Sequence, residues 1–434
     1  MFNTKRTAAI IAAATGAALV LAGCSGGGST GGGEYDPDEK VTLDFSFWGN
    51  DVRAGLYDQA IDLFNEEYPN IEVRTSFLTY PEYWEKRQTE AAGGGLPDVM
   101  QTDVTYLRQY TQNNLLLDLE PFFGEQIDTE PFDETLLDAA VVNDVTAGVP
   151  ISTNAWGMFS NPTLLAEIGV EDFPGGDWDD YNAWIEDTTA AAEAAGVEAW
   201  GGGDWTGRIQ VFELQQRAKG EDLFTEDGEA NFTKEDLADF WNQTADLRED
   251  GAFIPQQRVE ELNPLGGFDA AKTATEMTWD NFGAGYLANL GEGYPELGLT
   301  APPVSEEGAE DLYLKASMLL SASQRTDHPE AAAILIDFLV NDPEVGAVFG
   351  TNRGLPASET ARSSVELAGL DAQIEEYEAS IADRLGATPP VAIVGFGSLE
   401  EKFRVLGTEL NFGTTTVDQA VDQFFTEMDV VLNS

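Results

Sequence analysis

Nine tryptophans are spread along this chain of 434 residues, and three of them stand where binding chemistry could occur. Trp48 precedes Asn50 and Asp51, Trp205 follows Asp204, and Trp279 is followed by Asp280 and Asn281. A flat indole face beside fixed hydrogen-bonding groups suits a pyranose ring. The ring's C–H face packs on the indole, while its hydroxyls need paired donors and acceptors. For one such tryptophan alone, core packing explains it as well. Three in this setting tilt the reading toward a sugar pocket. Trp184 and Trp241 fall on predicted helices, where packing is the default role.

Most catalytic schemes lack their parts. His328 is the single histidine and Cys24 the single cysteine, so neither a histidine cluster nor a Cys/His dyad can be assembled. A Ser/His/Asp triad would need His328, and no Gly-x-Ser-x-Gly elbow is present. The runs Gly93–Gly95 and Gly201–Gly203 lack the Gly-Lys-Ser/Thr ending of a phosphate loop and read as turns. Carboxylates are so numerous that a hydrolase pair cannot be picked out by spacing. Glu226-Asp227-Gly228 does not match a calcium-loop spacing, and a cysteine zinc site is excluded. The expectation is a protein with no catalytic residues, no metal and no cofactor.

The charge balance is extreme, with 78 acids against 22 bases and a formal net charge of −56. Such a surface repels nucleic acid and anionic lipid, and no basic patch is visible. Solubility, including in a salty habitat, explains the acidity more simply than a cationic partner does. An apolar content of 42% supports substantial cores, and the length suits two to three domains.

The elements that would carry these residues follow from periodicity. Val41, Leu43, Phe45 and Phe47 alternate with polar residues, which predicts a strand ending at Trp48. Tyr57, Ile61, Phe64 and Tyr68 form one helical stripe, and Pro69-Asn70 stops it. Ile71, Val73, Thr75 and Phe77 alternate again, so strand, helix and strand make a βαβ unit with a parallel pair. A helix over 81–92 ends in Gly93-Gly94-Gly95, and a short third strand is expected over 96–100. Further helices are predicted at 164–168, 181–195, 211–218 and 234–248. Another begins at Pro329, and one more begins behind Asp342-Pro343.

The N-terminal segment has its own logic. Lys5 and Arg6 precede an apolar run from Ala8 to Val20, too short to span a bilayer comfortably. Leu21-Ala22-Gly23-Cys24 resembles the lipobox of bacterial lipoproteins. The resemblance implies that residues 1–23 are a signal peptide and that Cys24 is lipidated. Residues 24–40 then form a flexible tether, whose Gly/Ser/Thr stretch from Ser25 to Gly33 has a coil-like reach of about 17 Å. The protein would be a body held to the outer face of the cell membrane, in a Gram-positive cell.

The order of segments is similar to that of the extracellular solute-binding proteins of carbohydrate ABC importers, the maltose-binding-protein-like group. The matching pieces are Val41–Trp48, Leu63–Val73, Pro97-Asp98-Val99, Leu115–Leu119, Gly148-Val149-Pro150, Asn161 and Trp178–Tyr181. They continue with Asp227–Phe232, His328–Leu339 and Gly354-Leu355-Pro356-Ala357. The resemblance implies an α/β, two-lobe periplasmic-binding-protein-like fold, with discontinuous lobes joined by hinge segments and a ligand cleft between them. One lobe would take 41–149 and 305–351, the other 150–304 and 352–434. Crossings are expected near 148–152, 301–313 and 351–356. By family position, Trp48, Asn50, Asp51, Trp84, Asp103, Asn154, Asp204, Trp205, Trp279, Asp280 and Arg353 should face the cleft. Trp178 is left to packing. The implied partners are a small-molecule carbohydrate, the permease subunits of an ABC importer, and the membrane through Cys24. The protein would be a monomer and no nucleic acid is involved.

Three other readings stay open. A receptor of the same architecture could take a polyamine, a metal chelate or glycerol phosphate. A phosphate ester would want more Arg or Lys than Arg353 supplies. A secreted glycoside hydrolase is supported by the abundant acids and exposed aromatics, and opposed by the order of segments. A surface adhesion protein would have no small-molecule cleft.

Overall fold

The computed structural model of the chain describes Pro37 and residues 39–433. The expected signal peptide, Cys24 and nearly all of the tether lie outside the described residues. Strand β1 (Val41–Trp48) and strand β2 (Ile71–Leu78) pair in parallel from Val41↔Ile71 to Trp48↔Leu78, with helix α1 (Asp51–Glu67) between them. Tyr57, Ala60, Ile61 and Phe64 bury one face of α1, as the stripe predicts. Helix α2 (Tyr80–Gly93) ends on Gly94 in the left-handed region. It leads into β3 (Val99–Thr102), which pairs in parallel with β1. Helix α3 (Val104–Gln112) starts on Asp103, whose carboxylate accepts the Thr105 N–H at 2.8 Å.

After a small hairpin of β4 (Val141–Val142) and β5 (Val145–Thr146) comes the longest strand, β6 (Val149–Ser160). Its twelve residues are all buried. The remaining strands are β7 (Thr275–Trp279), β8 (Gly298–Thr300), β9 (Leu314–Ala322) and β10 (Leu355–Pro356). They join one eight-stranded sheet in the order β10-β6-β9-β3-β1-β2, with β7 and β8 added along β6. The first half of β6 pairs with β9, and its second half, from Trp156 on, pairs with β7. Register shifts fall on either side of Ser152, where β6 changes surroundings.

Two large apolar cores explain that change. One collects Leu43, Phe45, Tyr57, Val149, Ile151, Leu319, Leu335 and their neighbours. The other collects Ala155, Trp156, Phe159, Phe212, Trp241, Leu312, Phe403, Phe424 and their neighbours. The chain passes from the first to the second between Ile151 and Ala155, back between Leu312 and Ala316, over at Leu355, back at Ala357 and over again before Ile374, with Val391 touching the first core once more. This is a two-lobe α/β fold. The crossings touch one another: the Ser152 hydroxyl bonds to Ser317 Oγ and to the Arg353 carbonyl.

One predicted helix is divided. The stretch expected over 234–248 forms Lys234–Asn242 and Ala245–Asp250, with Thr244 between them outside the helical region. The break lets the buried Thr244 hydroxyl donate to Asp204 Oδ1 at 3.0 Å, and it brings Arg248 within 2.8 Å of Asp204 Oδ2. A tertiary polar contact overrides helix continuity here, and periodicity along one segment carries no trace of it.

A candidate ligand cleft

The two long crossing strands and the last crossing border a cavity of about 480 Å³. Trp48, Asp103, Asn154, Trp279, Asp280 and Arg353 all line it. They arrive from the ends of β1, β3 and β7, from the middle of β6, and from the loop before β10. A second cavity, of about 190 Å³, lies where Val104 and Ala139 face Glu213 and Phe224. The two cavities share Trp279 and Lys315 in their walls.

Trp279 is the pivot of the arrangement. It is half-buried and meets Trp156 edge to face at 5.3 Å and Tyr313 at 5.9 Å. The Lys315 ammonium stands 4.9 Å from the centre of its ring. Strand alternation aims Tyr313, Lys315 and Ser317 of the β9 crossing at the cavities. Trp48 is held on the other side among Tyr80, Tyr83 and Trp84, at ring distances between 5.3 and 6.0 Å.

The floor is polar and buried. The Ala155 N–H donates to Asp280 Oδ2 at 2.8 Å, and Thr153 Oγ1 lies 2.9 Å from each carboxylate oxygen of Glu378. Burial first, and then the neighbouring Glu378, push the Asp280 carboxyl well above the usual carboxylate range. Burial raises Glu378 as well. Two carboxylates in one buried site cannot both ionise at little cost, so the pair retains a proton. In the smaller cavity, Glu213 accepts a hydrogen bond from the Tyr313 hydroxyl at 3.0 Å, and burial pushes its carboxyl up to about 7.

Five expected residues lie elsewhere. Asn50 caps α1, accepting the Arg53 N–H at 3.0 Å, and Asp51 is exposed on the first turn of that helix. Trp84 is 3% exposed and stacks on Tyr106 at 3.8 Å, as part of the first core. Asp204 and Trp205 border a third cavity, of about 550 Å³, built wholly from the second lobe. Trp205 is 4% exposed, packs on Trp178 at 4.4 Å and donates from Nε1 to Asn182 Oδ1 at 3.0 Å. The Asp204 carboxylate is taken up by Arg248, Thr206 and Thr244.

Several cleft residues escaped the reading of the sequence. Arg53 and Lys315 line the larger cavity beside Arg353, so the cleft holds more positive charge than Arg353 alone. Glu213, Tyr313 and Lys315 come from segments not read as site-forming. Phe282, 51% exposed, borders both the larger cavity and the one in the second lobe. In a chain with so few bases, a lysine or arginine close to a crossing was the available signal.

Among the described residues, no group of three or more His, Cys, Asp or Glu side chains is placed to hold a metal ion. No helix there is long and apolar enough to cross a membrane.

Comparison with known proteins adds a lineage to this geometry. Residues 49–345 match the family described as bacterial extracellular solute-binding protein. A family 1 extracellular solute-binding protein of Alicyclobacillus acidocaldarius is 25% identical, with a TM-score of 0.76 over 92% of this chain and 100% of that one. A periplasmic oligogalacturonide-binding protein of Yersinia enterocolitica is 21% identical, with a TM-score of 0.77 over 91% of this chain and 99% of that one. An ABC substrate-binding protein of Listeria monocytogenes, solved with cycloalternan, is 18% identical, with a TM-score of 0.69 over 91% and 100%.

Proposed function

The chain belongs to the bacterial extracellular solute-binding protein family, and from that premise we propose that it captures a mono- or oligosaccharide and hands it to the permease of an ABC importer. It binds its solute and leaves it unchanged. The observation that carries this reading is the convergence of Trp48, Trp279, Asp103 and Asn154 on one cavity between two cores. The half-exposed indole of Trp279, with the buried Trp48 across the cavity, beside fixed carboxylate and amide groups is the chemistry a pyranose needs. Two structurally similar proteins were solved as receptors or complexes of saccharides, an oligogalacturonide and a cycloalternan, which supports the same class of solute.

The changes of core near 152–154 and 313–315 support lobes formed by 41–149 with 305–351 and by 150–304 with 352–434, except that Ala357 packs in the first core and the Glu359 N–H donates to the Pro131 carbonyl. Closure about those segments would bury the sugar and present a shape the permease can read. Ligand drives such closure only by binding the closed form better than the open one. In this reading Cys24 carries the lipid anchor, the body works as a monomer at the outer face of the membrane, and the acidic surface keeps it soluble.

Calorimetric titration with a panel of mono- and oligosaccharides tests the proposal. A saturable one-site heat with the sugar recovered intact supports it. Cleaved product would favour a hydrolase instead. Absence of heat across the panel would remove the sugar assignment, and thermal-shift screening with polyamines and phosphate esters would then identify the solute class.

A further inference from the structure

Three of the chain's 22 basic side chains, Arg53, Lys315 and Arg353, line the cavity of about 480 Å³. None of the three forms an ion pair among the described residues, although acids outnumber bases by more than three to one. Arg53 reaches from α1 to the last crossing. Its Nη2 donates to the Asn352 carbonyl at 2.9 Å and its Nε to Asn352 Oδ1 at 3.2 Å, while among the described residues Nη1 meets only the Trp48 carbonyl and the Met318 sulfur. Lys315 rests on the Trp279 face. Arg353 lies deeper, 6% exposed, over the Phe349 ring at 3.7 Å, with Nε and Nη1 making no hydrogen bond among the described residues.

The acids of the same cavity are already engaged. Asp103 caps α3, Asp371 accepts the Thr351 hydroxyl at 3.0 Å, and Asp280 accepts the Ala155 N–H beside Glu378. In the smaller cavity Asp222 pairs with Arg217 and Glu400 accepts from Gln210 at 2.6 Å. Glu213, whose carboxyl burial pushes up to about 7, accepts the Tyr313 hydroxyl. Cations withdrawn from water without a counter-charge are costly unless something supplies one. Burial lowers the affinity of Arg53 and Arg353 for their protons.

We infer that the cleft is built for a carboxylated sugar, a uronic-acid unit whose carboxylate is held by Lys315 and Arg53 while its ring lies on Trp279. The inference rests on the sugar-receptor reading above and narrows it to acidic saccharides. Lys315 is the mobile partner. A carboxylate draws its ammonium off the indole face and frees that face for the ring. A planar, singly charged group suits what is available, one ammonium and the remaining N–H groups of a guanidinium already committed to Asn352. A phosphate dianion would face Asp103 and Asp371 with too few donors. Arg353 contributes positive potential from behind without touching the ligand.

The test compares hexuronate disaccharides of gluco and galacto stereochemistry with the matching neutral disaccharides and hexose 6-phosphate, by calorimetry at low and raised salt. The expected result is a hexuronate bound about tenfold or more tighter than its neutral counterpart, with the gap narrowing in salt. Lys315→Gln should erase that gap while its melting profile stays that of a folded protein. Arg53→Gln is the second variant if the first fails to fold. A neutral disaccharide bound as tightly as the hexuronate overturns this inference and leaves the sugar reading standing, as does preference for the hexose phosphate over the hexuronate. If no saccharide of either kind binds, the sugar reading itself falls and this inference falls with it.

Discussion

The Ser152 hydroxyl donates to the Arg353 carbonyl, tying the first crossing strand to the last. Ser317 on β9 joins them, its Oγ 3.3 Å from the Ser152 carbonyl. Three of the passages between lobes are therefore laced together at one level, and motion of either lobe must flex this seam.

Gly354 is the residue that lets the seam close. Its φ is +97, and a side chain there would stand 3.1 Å from Ser152. Gly354→Ala meets both a backbone penalty at positive φ and a contact to which Ser152, already bonded across the seam, would have to yield. It should lower stability by at least ~1 kcal/mol in urea unfolding. An unchanged midpoint would mean that the seam tolerates displacement.

The tryptophans should separate by role. Trp279 is half-buried in the wall of both inter-lobe cavities, so Trp279→Ala should weaken sugar binding about tenfold or more while costing little stability. Trp205 is packed against Trp178 and Phe240 and bonded to Asn182. Trp205→Ala should cost about 3–5 kcal/mol of stability. Paired calorimetry and denaturant melts check both. A Trp205 variant of native stability that has lost binding would move the site into the second lobe.

Glu213 predicts a pH dependence with a definite sign. Its ordinary value of 4.5 is raised to about 7 in the folded chain, mainly by burial. The fold thus favours the protonated carboxyl. Its contribution to stability is full below about pH 4.5 and is lost as pH rises through about 7. Glu213→Gln cannot ionise, so its thermal midpoint relative to the native chain should rise across that window. A difference that is flat with pH would show that Glu213 ionises normally.

Arg108 spans the lobes on the other side of the cleft. From α3 its Nε donates to the Val391 carbonyl at 3.0 Å and its Nη1 to the Glu226 carbonyl at 3.0 Å. Hydrogen bonds from a charged donor are worth roughly 1.5–3 kcal/mol each. Arg108→Ala should therefore raise the dissociation constant for the sugar by about tenfold through the lobe contact alone, since Arg108 does not line either inter-lobe cavity. Unchanged affinity in calorimetry would mean that this strap has no part in holding the lobes.

Much of this architecture is written locally in the chain. The period-two runs of β1 and β2, the stripe of Tyr57, Ile61 and Phe64, and the stop at Pro69 depend on neighbours alone, so the βαβ unit is readable from sequence. That Trp48, Asp103, Asn154, Trp279, Asp280 and Arg353 come together follows from their family positions rather than from any local pattern, since β7 runs antiparallel to β6 and Asn154 lies inside a strand. The direction of an indole is another matter. Trp84 and Trp205 sit in polar-flanked positions much like Trp48, yet Tyr106 and Trp178 claim their faces from distant parts of the chain. Lys315 and Arg53 are hidden for the opposite reason. Each sits in an ordinary strand or helix, and only the fold aligns them with the last crossing. The break at Thr244 answers to Asp204, forty residues away in sequence, which no local pattern encodes.

Small-angle X-ray scattering of the chain with and without a saccharide already seen to bind by calorimetry reads lobe closure itself. A smaller radius of gyration and a shifted profile at saturation are expected, as the lobes close on the sugar about Ser152, Ser317 and Arg353. Superimposable profiles with the sugar demonstrably bound would contradict that closure.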